Sequence, residues 1–307
     1  MKRHFSHENI GLTDRGASVA MGNFDGVHLG HQHVIALARV HGPLGVVTFE
    51  PHPRQYFAPA SIPFRLMNAE ARANRLGKIG VTQVYELSFD VTLAGMTAET
   101  FAAAVLRDGL GVAHVTVGTD FHFGKGRSGT AETLVTLGES LGFGVTVADL
   151  VAFDGTEISS TAIRRALTDG QPREAARMLG HWHRIEGEVL HGEKRGRALG
   201  YPTANMALDG LHLPHLGVYA VRVDVLTGPQ TGSYNGAASL GVRPMFGVNA
   251  PNLETYLLDF TGDLYGQHLS VALIDYLRPE MTFDGLPALM DQMAADCDRA
   301  RAILTAL

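Results

Sequence analysis

Residues 21–34 read MGNFDGVHLGHQHV, from Met21 to Val34. Three glycines, three histidines and one aspartate fall within this stretch, after the short apolar run Ser18–Met21 and at the start of a helix candidate over 30–40. Open α/β sheets bind ligands at the carboxyl ends of their strands, so a glycine-rich turn here is a candidate binding loop. Gly22, Gly26 and Gly30 permit tight turns and close approach of a ligand. The helix start offers unpaired N–H groups and a positive dipole end to an anion. His28 and His31, three apart, share one side of the first turn and can donate to phosphate oxygens. Two other readings compete: the histidines bind a metal, or they only cap the turn. A zinc site lacks ligands, because His33 leaves that face at helical spacing and Cys297 is the single cysteine. Phosphate is the favoured occupant.

Outward from this stretch, the first half alternates strand-like and helix-like runs. Strands are expected at 44–49, 83–87, 112–117 and 145–148. Helices are expected at 68–78, with an asparagine cap, and at 97–106, 132–141, 159–167 and 174–179. Such βα units with short apolar strands predict a parallel sheet covered on both faces. After about Gly180 the texture changes. Segments of β character at 185–190, 218–225, 236–240, 253–259 and 269–276, separated by glycine and proline clusters, predict a small antiparallel barrel. A closing helix after Asp284 places Leu286, Leu289, Met290, Met293, Cys297 and Leu304 on one stripe, expected to pack on the barrel. The fold class is therefore α/β plus β, with a boundary near 179–184 that divides the chain into 1–182 and 183–307.

The 307 residues, 45% hydrophobic, suffice for two cores. No run of eighteen apolar residues occurs, so no membrane span is expected. The first residues, MKRHFSHENIGLTDRG, lack the apolar region of a secretory signal. A lone cysteine excludes a disulfide framework and a cysteine zinc cluster, and these features favour the cytoplasm. A net charge of −6 argues against general nucleic-acid binding. The oligomeric state stays open, a homo-oligomer being compatible.

Further motifs extend the picture. GNFDGVHLGH resembles the HxGH signature of the nucleotidylyltransferase superfamily. TFEPHP (48–53), GTDFHFGKGRSG (118–129), ISSTAIRRAL (158–167), GRALGYPTAN (196–205) and LETYLLDFTGDLYG (253–266) follow in the order of the prokaryotic bifunctional riboflavin kinase/FAD synthetase family. The resemblance runs through nearly the whole chain. It implies a Rossmann-like nucleotidyltransferase domain, then a β-barrel kinase domain. The implied chemistry is ATP-dependent phosphorylation of riboflavin to FMN, releasing ADP, then adenylylation of FMN to FAD with release of pyrophosphate. Mg2+ accompanies ATP, and no permanently bound cofactor is expected.

By the same resemblance, His28 and His31 contact ATP phosphates, with Gly22, Asn23, Asp25 and Gly26 in the same cradle. Ser159, Ser160 and Thr161 put hydroxyls at a helix start, and Arg164 lies one turn on. Alone these residues read equally as an N-cap with a solvated arginine; beside HLGH, a second phosphate clamp is favoured. Asp120, Phe121 and Phe123 are flavin-contact candidates, although the two rings can equally alternate into a core. Lys194, Arg195 and Arg197 crowd a glycine-rich turn, either solvated or on phosphate. Thr203 and Asn205 supply hard oxygen ligands of the kind magnesium takes. Glu254 matches the family's catalytic glutamate, although an isolated strand glutamate is ordinarily just exposed. Small barrels also bind single-stranded nucleic acid, and HLGH occurs in aminoacyl-tRNA synthetases. The acidic balance and the absence of their lysine-rich second signature argue against that reading.

Overall fold

The apolar runs of the first half pair as parallel strands, and those of the second half as antiparallel ones. The structure is a computed structural model describing residues 1–149, 152–153, 156–191, 200–245 and 248–307. The chain packs as two units, Met1–Ile62 with Arg72–Ile158, and Pro63–Ala71 with Ser159–Leu307. This is a division by packing, a different quantity from the division by activity expected near residue 182.

The first stretch of chain carries β1 (Lys2–His4), β2 (Ser18–Met21), α1 (Leu29–Ala38), β3 (Leu44–Glu50), α2 (Pro53–Phe57) and α3 (Ala69–Lys78). It continues with β4 (Gln83–Ser88), α4 (Val91–Gly95) and α5 (Ala98–Thr100), which runs on as a π-helical stretch over Phe101–Leu110. Then come β5 (His114–Gly118), β6 (His122–Phe123), β7 (Gly129–Thr130), α6 (Ala131–Leu141), β8 (Gly144–Ala148), β9 (Ala152–Phe153) and β10 (Thr156–Glu157). The main sheet has the order β1-β4-β3-β2-β5-β8, every pair parallel. β2 is buried along its whole length and β3 up to Glu50, as expected where helices cover both faces. Because β3 and β5 flank β2 on opposite sides, the winding reverses there. The loop leaving β2 therefore lies at the switch point of the sheet, where ligands bind. Local chemistry fixes the helix starts: Asn68 Oδ1 accepts from Ala71 N at 2.9 Å, the expected cap of α3, and Thr97 and Thr130 cap α5 and α6. Such caps contribute about 1 kcal/mol each. On α1 the residues turned fully inward are Ile35 and Ala38; Val34 and Leu37 are half-buried.

The second unit carries α7 (Ser160–Thr168), α8 (Pro172–Leu179), β11 (Arg184–Glu188), β12 (Ala204–Ala207), β13 (Gly217–Val225), β14 (Gly232–Met245), β15 (Val248–Leu257), β16 (His268–Arg278) and α9 (Leu286–Thr305). The sheet order is β11-β16-β13-β14-β15-β12, with all pairs antiparallel. Its two edges meet where Leu190, just past β11, donates to Asn205 O at 2.8 Å, so the sheet nearly closes into a barrel. β13 shows how one strand serves two layers. Val221, Val223 and Val225 fill the interior, while Val218 and Ala220 face the other way and pack with Ala300 and Leu304 of α9.

That helix covers the barrel as expected, but its fully buried residues lie in its second half only. Its buried residues are Asp296, Ala300 and Leu304, spaced by four; Cys297, Ile303 and the chain's single tryptophan, Trp182, pack beside them. Leu286 and Met290 are 58% and 40% exposed, which corrects the stripe at those two positions, whereas Leu289 and Met293 are half-buried. Full burial begins where Asp296 meets the guanidinium of Arg278 at 2.7–3.0 Å. No helix among the described residues is long and apolar enough to cross a membrane.

Candidate active sites

The loop leaving β2 is held in a costly conformation. Phe24, Gly26 and Val27 have φ of 52°, 86° and 44°. Glycine tolerates this, but a β-branched valine does not, and each such non-glycine residue costs about 1–3 kcal/mol. Burial supplies the compensation, since Phe24 and Val27 are 1% and 0% exposed. Val27 N donates to Phe24 O at 3.1 Å, closing a turn, and Gln32 Nε2 donates to Val27 O at 2.8 Å. From below, Thr48 Oγ1 and Arg72 Nη1 donate to Asn23 O at 3.3 and 3.4 Å. Arg72 is itself buried and paired with Glu86 at 2.9 Å and Glu50 at 3.0 Å. Asp25 and Gly26 are buried within the same turn.

This loop delivers His28 to the N-cap of α1, where its Nδ1 accepts from His31 N at 3.3 Å. The two imidazoles stack with centroids 3.6 Å apart and planes 18° apart. A Cβ at Gly30 would lie 3.2 Å from the His28 ring, close enough that the imidazole would have to shift. Burial, and secondarily the neighbouring His28, hold the His31 imidazole well below its usual titration range, so it is neutral at pH 7. Its Nδ1 is buried and has no hydrogen-bond partner among the described residues. Buried polar atoms are ordinarily paired, so a helix start carrying an unpaired imidazole nitrogen is a site with a partner still to come. Phosphate oxygens fit that requirement.

In the second unit, Ser159 caps α7, its Oγ accepting from Ala162 N at 3.2 Å, with Ser160 and Thr161 in the first turn. Arg164 is not a freely solvated side chain. Its Nε donates to Phe64 O at 2.5 Å and its guanidinium lies 5.4 Å from the Phe64 ring centre. Of the phenylalanines, Phe123 takes the core position: it is 8% exposed and packs 5.9 Å from Phe101. Of the two readings of that ring, this packing is the core one. Phe121, half-exposed, stacks on it at 5.8 Å, and Asp120 is exposed. His52, in the TFEPHP stretch, caps α2, its Nδ1 accepting from Arg54 N at 3.1 Å.

The barrel brings its own candidates together by strand register. Asn205 on β12 stands directly opposite Glu254 on β15, and opposed residues of an antiparallel pair project on one face. Both are half-buried. Asn205 Nδ2 donates to Thr203 O at 3.3 Å, which leaves its amide oxygen to face other groups. Thr203 and Asn205 line a cavity of about 300 Å³ with Asp263 and Tyr265. Asp263 itself serves the turn before Leu264, accepting from Tyr265 N, and Asp259 pairs with Arg301. Lys194, Arg195 and Arg197 lie outside the described residues. Sequence reading missed Asn252, which bonds both Asn205 and Glu254. It also missed Arg72, whose spacing of four from Asn68 and Leu76 was its only signal.

A doubly wound parallel sheet with stacked histidines at its switch point, joined to a barrel presenting amide oxygens opposite a carboxylate, defines a two-centre enzyme of phosphate chemistry. The family described as FAD synthetase matches residues 12–162, and that described as riboflavin kinase matches residues 179–304. A bifunctional riboflavin kinase/FMN adenylyltransferase of Pseudomonas fluorescens is 43% identical over 301 residues, covering 96% of this chain and 95% of that one. Its counterpart in Haemophilus influenzae is 37% identical, covering 94% of each. A crystal structure named as a macrolide-efflux protein from Streptococcus pneumoniae superposes with a TM-score of 0.81 at 32% identity, covering 97% of this chain and 98% of that one. The chain belongs to the bifunctional riboflavin kinase/FMN adenylyltransferase family.

Proposed function

We propose that the barrel centre phosphorylates riboflavin and that the loop after β2 adenylylates the resulting FMN, with activities divided near residue 182. The chain is an enzyme of flavin cofactor biosynthesis, and its co-substrate is ATP. The observation that supports the placement best is the pairing of Asn205 with Glu254 across two strands of one unit, while the stacked histidines belong to the other.

In the kinase step the terminal ribityl hydroxyl attacks the γ-phosphorus of ATP, and ADP leaves. Glu254 accepts the hydroxyl proton as the new P–O bond forms. Thr203 and Asn205 suit a hard cation: both offer neutral oxygens, and both line one cavity. Mg2+ held there would neutralise phosphate charge. Lys194 and Arg197 are assigned to the phosphates from their sequence motif. In the second step the FMN phosphate attacks the α-phosphorus of a second ATP, and pyrophosphate leaves. No covalent intermediate is needed, so alignment and charge stabilisation carry the rate. His28 and His31 donate to the transferring phosphate, and the strained loop of Gly22, Asn23, Asp25 and Gly26 shapes the cradle; Ser159, Ser160, Thr161 and Arg164 are assigned to pyrophosphate from their sequence motif. Asp120 and Phe121 face the flavin, with Phe123 supporting Phe121 from the core. The cytoplasm is the proposed compartment. Chromatography of products from riboflavin, ATP and Mg2+ tests the whole: both FMN and FAD are expected, and absence of FMN would remove the kinase assignment.

A further inference from the structure

We propose that Asn252 is a positioning residue of the barrel centre: its side-chain amide ties the oxygen of Asn205 to the carboxylate of Glu254 and fixes the separation between the metal ligand and the base. It rests on the roles given above to Asn205 and Glu254.

The directions of the hydrogen bonds carry this assignment. An ionised carboxylate only accepts, so the Asn252 atom 3.4 Å from Glu254 Oε1 is the nitrogen, Nδ2. The same nitrogen lies 3.1 Å from Asn205 Oδ1. Asn205 in turn spends its own Nδ2 on Thr203 O. Donors therefore run one way from Asn252 to Asn205 to Thr203, and the network sets the orientation of both amides. Asn205 Oδ1 uses one lone pair on Asn252 and keeps the other for a cation.

Burial gives a second, independent reason. Asn252 is 3% exposed, and its Oδ1 is buried without a hydrogen-bond partner among the described residues. Leaving such an acceptor unpaired costs about 1–3 kcal/mol. An apolar residue at this strand position would avoid that cost, so the amide is held there for its nitrogen. It stands opposite Ala207, one alternation along β15 from the Asn205–Glu254 pair and on the same face. Groups that orient metal ligands in this way typically change metal affinity or rate ~10–100-fold when removed.

Two variants of the full chain test the role, Asn252→Ala and Asn252→Asp. Aspartate keeps the shape but turns an acceptor toward two acceptors. Three quantities are measured: steady-state riboflavin phosphorylation, FAD formation from supplied FMN, and calorimetric Mg2+ binding in the presence of ADP. Both variants are expected to lower kcat for phosphorylation, and to weaken Mg2+ binding, by ~10–100-fold. The KM for riboflavin and the rate of FAD formation should stay unchanged, and Asn252→Asp should be at least as impaired as Asn252→Ala. A wild-type kcat and Mg2+ affinity in Asn252→Asp would show that the residue only fills space, and would overturn the role. Should the aspartate variant fail to fold, seen as lost FAD formation, unweakened Mg2+ binding by Asn252→Ala overturns it equally. Glu254→Gln separates the two levels. If that variant still phosphorylates riboflavin, the reading of the centre fails; if it is inactive while both Asn252 variants behave as wild type, only the positioning role fails.

Discussion

His28 combines two functions, capping α1 and presenting an imidazole, and a substitution can part them. Asparagine is a good N-cap, so His28→Asn should leave the helix start intact. It should lower FAD formation from FMN by about 10²–10³-fold, the usual effect of removing one donor to a developing charge. Riboflavin phosphorylation in the same preparation should stay at the wild-type rate, and a parallel loss of both activities would count against the assignment. Glu254→Gln should show the reverse selectivity, with FMN formation reduced ~10²–10⁴-fold and FAD formation from FMN preserved; initial rates of the two half-reactions decide. At this scale the histidines and Glu254 were legible because their motifs fix residue type and spacing. The left-handed conformations at Phe24 and Val27 were not, since nothing in a phenylalanine or a valine announces a positive φ. Asn252 was hidden for a related reason: its role lies in the direction of two hydrogen bonds, which depends on a partner strand some fifty residues earlier.

Among the elements, α9 gives the sharpest contrast between pattern and packing. Its apolar periodicity runs from Leu286 onward, yet its fully buried residues begin only at Asp296. Leu304→Ala should therefore destabilise the second unit by about 2–4 kcal/mol, as buried leucine truncations do. Leu286→Ala should stay within about 0.5 kcal/mol of wild type, as exposed positions do. Urea unfolding of the two variants side by side checks the pair. Periodicity tells which side of a helix is apolar, not how much of its length finds a neighbour. The same limit hid β12. Absent from the β segments expected, Ala204–Ala207 is a four-residue strand, and only its pairing with β15 makes it one. Where signals were local, boundaries came close: α3 begins at its asparagine cap, and β3 spans the run expected at 44–49 with one further residue.

For the molecule as a whole, buried histidines set the response to acid. Burial, helped by His181 and His212, lowers His183 from its ordinary 6.5 to about 3. Below pH 6.5 the unfolded chain takes up a proton at this position and the folded chain does not. Stability is therefore complete above about pH 6.5 and is lost progressively as pH falls toward 3, by about 2 kcal/mol at pH 5. His31, lowered for the same reason, acts in the same direction in the first unit. Denaturant unfolding followed by circular dichroism between pH 5 and 8 should show this slope, and His183→Gln should flatten the contribution of the second unit. The change from parallel to antiparallel texture near Gly180 was legible in the sequence. The assignment of Pro63–Ala71 to the second unit was not, because that association is made in space by contacts such as His212 N to Arg65 O. Trp182, packed beside α9, carries one more consequence. As the chain's single indole, it makes fluorescence excited above the tyrosine band a report on the second unit alone. Heating that opens only the parallel-sheet unit would change the far-ultraviolet spectrum and abolish FAD synthesis with no shift in emission. The chain thus carries an intrinsic dye on one half, and the order in which the halves melt can be read without attaching a label.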